Sequence, residues 1–308
     1  MDDVELRVAR AREHLGRGSL ERAVQDLRAA LTEDPDHAEA HALLALSLHG
    51  LRRLHAASLE AGRALALDPE SPLAHLAMGR VRVGARDFVA AKDHAERAVA
   101  LAHDEAFVLL VAAGILFATD ALERASALLV QARELEPDDA SIVALQGSVA
   151  RSRGDWAAAG RLAIEALQIE ADHVDALVLR GWVALREGHV AEARDHALWA
   201  LREAPSDRDA LTLLVAIKAR TSVTLGLWWR LNAFLWQGSS TRAVVILIVA
   251  FLFTNLARQL LSDGGYPIAA DGIQLAWLGL CVYSWVGPSM FQAALERELA
   301  PVQLDPRF

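Results

Sequence analysis

His37 and His41 stand four residues apart, the spacing that sets two imidazoles on one face of a helix and lets them share a zinc ion. They form the sharpest metal candidate among eleven histidines. His173, however, recurs at the place of His37 in the chain's internal period, and a repeated turn residue is the better account of both. Pro137-Asp138-Asp139 has the pattern of a helix N-cap rather than of a carboxylate pair built for acid–base work. No nucleophile, base and orienting group stand out as a unit, and no glycine-rich phosphate loop is found. The chain is expected to be no enzyme and to hold neither metal nor cofactor.

Charge narrows the partner class. The formal net charge is -9, and residues 221–308 carry five arginines against five acids, so the whole acidic excess sits on residues 1–220. Phosphate backbones require a basic face, which argues against nucleic acid as the main partner. The single cysteine, Cys281, has no partner for an intramolecular disulfide. The start, Met1-Asp2-Asp3-Val4-Glu5, is acidic with no apolar core behind it, unlike a secretory signal. A hydrophobic content of 54% beside 23% charged residues means that some segment carries an apolar excess.

The elements that position these residues follow from one period. Counting units of 34 residues from Val4, position 20 is Ala23, Ala57, Ala91, Ala125, Ala159 and Ala193, and position 27 is Ala30, Ala64, Ala98, Ala132, Ala166 and Ala200. Position 8 is always alanine or glycine, and Gly18, Gly154 and Gly188 occupy position 15, where a tight turn between helices needs positive φ. Pro35, Pro69, Pro137 and Pro205 stop the helix at position 32, with His103 and Ala171 in the other two copies, where less sharply fixed turns are expected. Six uninterrupted copies describe stacked antiparallel helix pairs whose small residues allow close approach. Asp207 to Thr221 is expected to cover the last open face as a capping helix.

This pattern resembles the tetratricopeptide repeat family over roughly residues 4–205. The resemblance implies an all-α, right-handed α-solenoid of six 34-residue helix-turn-helix repeats whose first helices line a concave groove. Carried onto this chain, groove positions include Leu46, Leu73, Leu76, Arg80, Val83, Phe107, Leu110, Phe117 and Trp182. Family members that clamp an acidic chaperone C-terminus use lysine and asparagine at positions 5 and 9. Here those positions are Val8 and Arg12, Ala42 and Leu46, and Leu76 and Arg80 in the first three units, so that clamp is missing. An apolar groove fits an amphipathic helix or apolar peptide of a protein partner. The alternatives are that tight curvature buries it, or that the chain's own C-terminal segment or a second subunit fills it.

Beyond residue 221 the composition changes. Trp228, Trp229, Arg230 and Trp236, with Arg242, form an amphipathic stretch of the kind found at a membrane interface. Thr241 to Leu261 and Gly272 to Leu295 then suggest two apolar helices, each near the ~20 residues that cross a bilayer. The expected organisation is an array with its cap over 1–221, an interfacial segment over 222–240, a transmembrane hairpin over 241–295 and a tail over 296–308. Arginine placement puts the array and the C-terminus in the cytoplasm of an inner-membrane, multi-pass protein. The function expected on these grounds is a membrane-anchored scaffold that recruits or assembles protein partners. The alternative is a subunit of an oligomeric transport or pore-forming complex, with self-association of the hairpins and contact with the lipid bilayer.

Overall fold

The structure is a computed structural model and describes residues 3–16, 18–205, 207–221, 240–264, 266, 268–269, 271–275 and 277–279, with backbone alone for 240–250. The described part is helical, as the repeat pattern predicts. The first repeat is α1 (Asp3–Gly16) and α2 (Leu20–Glu33), the second α3 (Ala38–Gly50) and α4 (Leu54–Leu67), the third α5 (Pro72–Gly84) and α6 (Phe88–Leu101). The fourth is α7 (Ala106–Ala118) and α8 (Leu122–Leu135), the fifth α9 (Ala140–Ser152) and α10 (Trp156–Ile169), the sixth α11 (Val174–Glu187) and α12 (Val190–Glu203). The helix expected to cap the array, α13 (Arg208–Thr221), follows, and α14 (Ser240–Asp263) comes after residues outside the described set. The chain divides into two compact units, Met1–Leu179 and Arg180–Phe308.

Local chemistry explains where several of the helices start. Ser71, Asp87, Asp139 and Asp155 accept from backbone N–H groups of α5, α6, α9 and α10, satisfying donors that the first turn leaves unpaired. Asp207 does the same for Ala210 at 2.7 Å and opens α13. The junctions with His103 and Ala171 in place of proline are four residues long, like those with proline. Glu105 and His173 hold the cap positions there, so proline is sufficient but not necessary for the turn.

Packing rests on the alanine columns. Every alanine at positions 20 and 27 is fully buried, because each lies where two helix backbones approach too closely for a larger side chain. Position 24, leucine in the first and fourth repeats and alanine in the other four, is also fully buried. In the first unit the successive first helices touch (α1 on α3, α3 on α5, α5 on α7, α7 on α9), whereas the second helices do not pack on one another comparably. Close inner helices and splayed outer ones curve the stack, with the first helices on the concave side. The within-repeat turns have positive φ in all six repeats: Gly18, Gly154 and Gly188 as expected, and also Arg52, Arg86 and Asp120.

The membrane expectation is overturned. Among the described residues no helix is long and apolar enough to cross a membrane, so the multi-pass inner-membrane placement with a cytoplasmic array and C-terminus is withdrawn. In α14 the uncharged run Ala243–Ala257 is fifteen residues; at ~1.5 Å per residue it spans roughly 22 Å, short of a ~30 Å hydrocarbon core. Reaching twenty residues required counting Arg242 and Arg258 with it, and Arg258 donates to Gln274 Oε1 at 2.9 Å. Trp228, Trp229, Arg230 and Trp236 lie outside the described residues, as does most of the second expected span. Arg242 sits near the start of α14, where the backbone alone is described.

Candidate functional site

The concave face of the first unit is built from one side of α3, α5 and α7. Leu73, Val83, Phe107, Leu110 and Phe117 are half-buried and pack against one core cluster that includes Leu76, Leu109 and Leu116. Leu73 also touches the neighbouring cluster formed by α1 to α5, so the two cores meet beneath the groove floor. Leu76 has no exposed surface and Leu46 only 8%. These two hold the floor from below and offer a partner almost nothing. Trp182 is half-buried in the second unit.

Polar groups at the groove are few and specific. At its N-terminal end Arg12 and Glu39, from adjacent repeats, form an ion pair. In the middle the Arg80 guanidinium lies beside Gly114; a Cβ added there would stand 3.5 Å from Arg80 Nη2. Its Nε is buried and has no hydrogen-bond partner. Burial pulls the Arg80 pKa below its ordinary value, and the Asp175 carboxylate from the sixth repeat opposes that shift. The attraction spans three repeats and so reports the curvature of the array. The same curvature brings Gly16, at the end of α1, to one wall of a cavity of about 780 Å³ whose other walls are the Leu135–Ser141 junction, Ile169 and Glu170.

His49 lines the next groove position toward the within-repeat turns. Its pKa falls to about 4, first through burial, then through the nearby positive charges of Arg80 and Arg52, while a hydrogen bond to the Arg80 backbone works the other way. Neutral His49 and charged Arg80 are therefore one electrostatic unit on α3 and α5.

The histidine pair that opens the metal question resolves into two structural roles. His37 Nδ1 accepts from Ala40 N at 3.3 Å and caps α3, and His173 does the same for Ala176. His41 turns elsewhere, with Nδ1 2.5 Å from Glu60 and Nε2 donating to Pro35 O at 2.9 Å. Among the described residues no group of three or more His, Cys, Asp or Glu is placed to hold a metal ion. A polar column missed in sequence emerges here: positions 4 and 23 face each other as His41 with Glu60 and as His75 with His94, Nδ1 to Nδ1 at 3.0 Å. The same positions are apolar as Leu109 with Leu128 and Val143 with Leu162. The 34-residue ruler contains the signal.

Known proteins agree with this geometry. The family model described as tetratricopeptide repeat matches residues 8–72 and 145–208. Two stretches of the array thus match the tetratricopeptide repeat, and the fold is of that type. No curated protein matches the chain. Among solved structures, the chain is similar to one in the APC/C hetero-tetramer Cut9–Hcn1, with TM-score 0.53, 18% identity, 70% of this chain and 42% of that chain covered. It is also similar to PilW, a type IV pilus biogenesis factor, with TM-score 0.50, 16% identity and coverage of 70% and 99%. PilF of Pseudomonas aeruginosa gives TM-score 0.45, 18% identity and coverage of 70% and 97%. The chain thus spans less than half of the Cut9–Hcn1 chain it matches, and the first two likenesses establish the fold. Repeat and fold together define a helical-repeat array of tetratricopeptide type.

Proposed function

We propose that the array holds an apolar helix or extended segment of a protein partner in its concave groove. Leu73, Val83, Phe107, Leu110 and Phe117 supply the apolar contact, and Arg80 supplies the one charge among them. The observation that carries this reading is the half-buried apolar strip itself, five side chains packed on one core cluster with part of each left at the surface. A partner's apolar side chains would cover that strip, and its polar groups would lie against the exposed part of the Arg80 side chain. Burial of the remaining exposed area of these side chains stabilises the complex at about 25 cal/mol per Å².

The test uses the full-length protein and whatever co-purifies with it from native extract. Leu110→Glu and Phe117→Glu should lose that protein, whereas Val89→Glu, on an exposed site of α6, should keep it. A groove variant that melts like the parent and still retains the partner would remove the groove from the account.

A further inference from the structure

We infer that the array also associates with a second copy of itself, edge to edge, through a basic edge that meets an acidic one. Antiparallel helix pairs place all within-repeat turns on one edge of the first unit and all inter-repeat turns on the other. The five inter-repeat turns, residues 34–37, 68–71, 102–105, 136–139 and 170–173, contain eleven acids and not one Lys or Arg. Asp34, Asp36, Asp68, Glu70, Asp104 and Glu105 are all exposed. On the opposite edge, the turns of the second and third repeats present Arg52, Arg53 and Arg86, also exposed. Among the described residues none of these three has an ion-pair partner, while Arg63, Arg82 and Arg97 of the same repeats are paired with Glu60, Asp87 and Glu70.

Two further observations favour this pairing. Arg52 and Arg86 occupy left-handed backbone at φ 61° and 62°, where three sister repeats use glycine. A side chain in that conformation is unfavourable, so local folding does not explain arginine there, whereas an intermolecular contact does. The second observation is register. Both edges are generated by the same 34-residue repeat, so two arginine-bearing turns one repeat apart match two acidic turns one repeat apart on a neighbouring copy. The contact joins different edges, is therefore heterologous, and extends with concentration instead of closing at a dimer.

Sedimentation of the full-length protein at ~20 mM and ~500 mM salt tests this, since the screening length drops from roughly 20 Å to roughly 4 Å between them. The average mass should exceed one copy at low salt and fall to one copy at high salt. The triple variant Arg52→Gly, Arg53→Ser, Arg86→Gly should be a single copy at both. It should also melt at least about 2 °C higher, because glycine relieves the left-handed strain and serine improves the cap of α4. Arg52→Glu/Arg86→Glu mixed with Asp36→Lys/Glu70→Lys should restore association that neither shows alone. A parent that is a single copy at low salt would overturn the inference, and so would association unchanged in the triple variant. Association that grows with salt would equally overturn it and would assign the contact to the exposed Leu252, Phe253, Leu256 and Leu260 of α14.

Discussion

Gly79 and Gly147 occupy the same repeat position, yet replacing each by alanine should have different consequences. At Gly79 the new Cβ would meet Ile115 Cδ1 at 2.8 Å, with Ala91 O and His94 Cβ both at 3.5 Å. The close atom is the far end of a flexible side chain, so a rotamer adjustment of about 0.5–1.5 kcal/mol is offset by the ~1 kcal/mol that alanine gains over glycine in a helix. The net change is near zero. At Gly147 the Cβ would land on Leu179 Cδ2 and lie 3.2 Å from Leu162 Cβ, an atom fixed to the backbone of α10. Relief there requires α9 and α10 to separate. Overpacking of that kind costs about 1–3 kcal/mol, leaving Gly147→Ala destabilised by about 1 kcal/mol after the propensity gain. Thermal unfolding of the full-length variants should place Gly147→Ala about 2–4 °C below Gly79→Ala. A Gly147→Ala protein that melts at or above Gly79→Ala would refute the claim that position 8 sets the distance between the two helices of a repeat.

Three other outcomes follow from the same structure. His49 is neutral in the fold with a pKa near 4 against an ordinary 6.5, so its contribution is fully present above pH 6.5 and is lost as pH falls toward 4. Because the ring is only half-buried, screening reduces the effect to about 1–2 kcal/mol, measured as the extra loss of stability between pH 7 and pH 4.5 in the parent relative to His49→Gln. Ala98→Leu, at a column with no exposed surface, should cost about 1–3 kcal/mol in denaturant unfolding, whereas Ala66→Leu, on an exposed position, should be neutral. Arg80→Met removes a desolvated charge with an unpartnered Nε; it should leave the melting temperature of the isolated protein unchanged or raised while weakening partner retention.

The repeat frame is legible in sequence because its markers act locally. Alanine in a fixed column is required by backbone contact in every repeat, and His37, Ser71, Asp87, Asp139, Asp155 and His173 cap the helices they precede. The positive-φ turns at Arg52, Arg86 and Asp120 are not legible residue by residue, since arginine disfavours that conformation and only the repeat imposes it. The groove shows the same division. Its apolar character can be read from positions, but the burial of Leu46 and Leu76 depends on how tightly the first helices curve. The electrostatic influence of Asp175 on Arg80 depends on curvature summed over three repeats, which no local pattern encodes. At α14 hydropathy alone misleads: apolar content over 241–261 suggested a span, whereas charged flanks leave an uncharged run too short to cross.

The claim that the concave face is the partner's seat has a direct test. A photo-crosslinking residue placed at Leu110 or Phe117 in the full-length protein, inside its native cells, should capture a discrete protein adduct, and the same probe at the exposed Val89 of α6 should not. Adducts formed from Val89 while both groove positions remain silent would contradict the account.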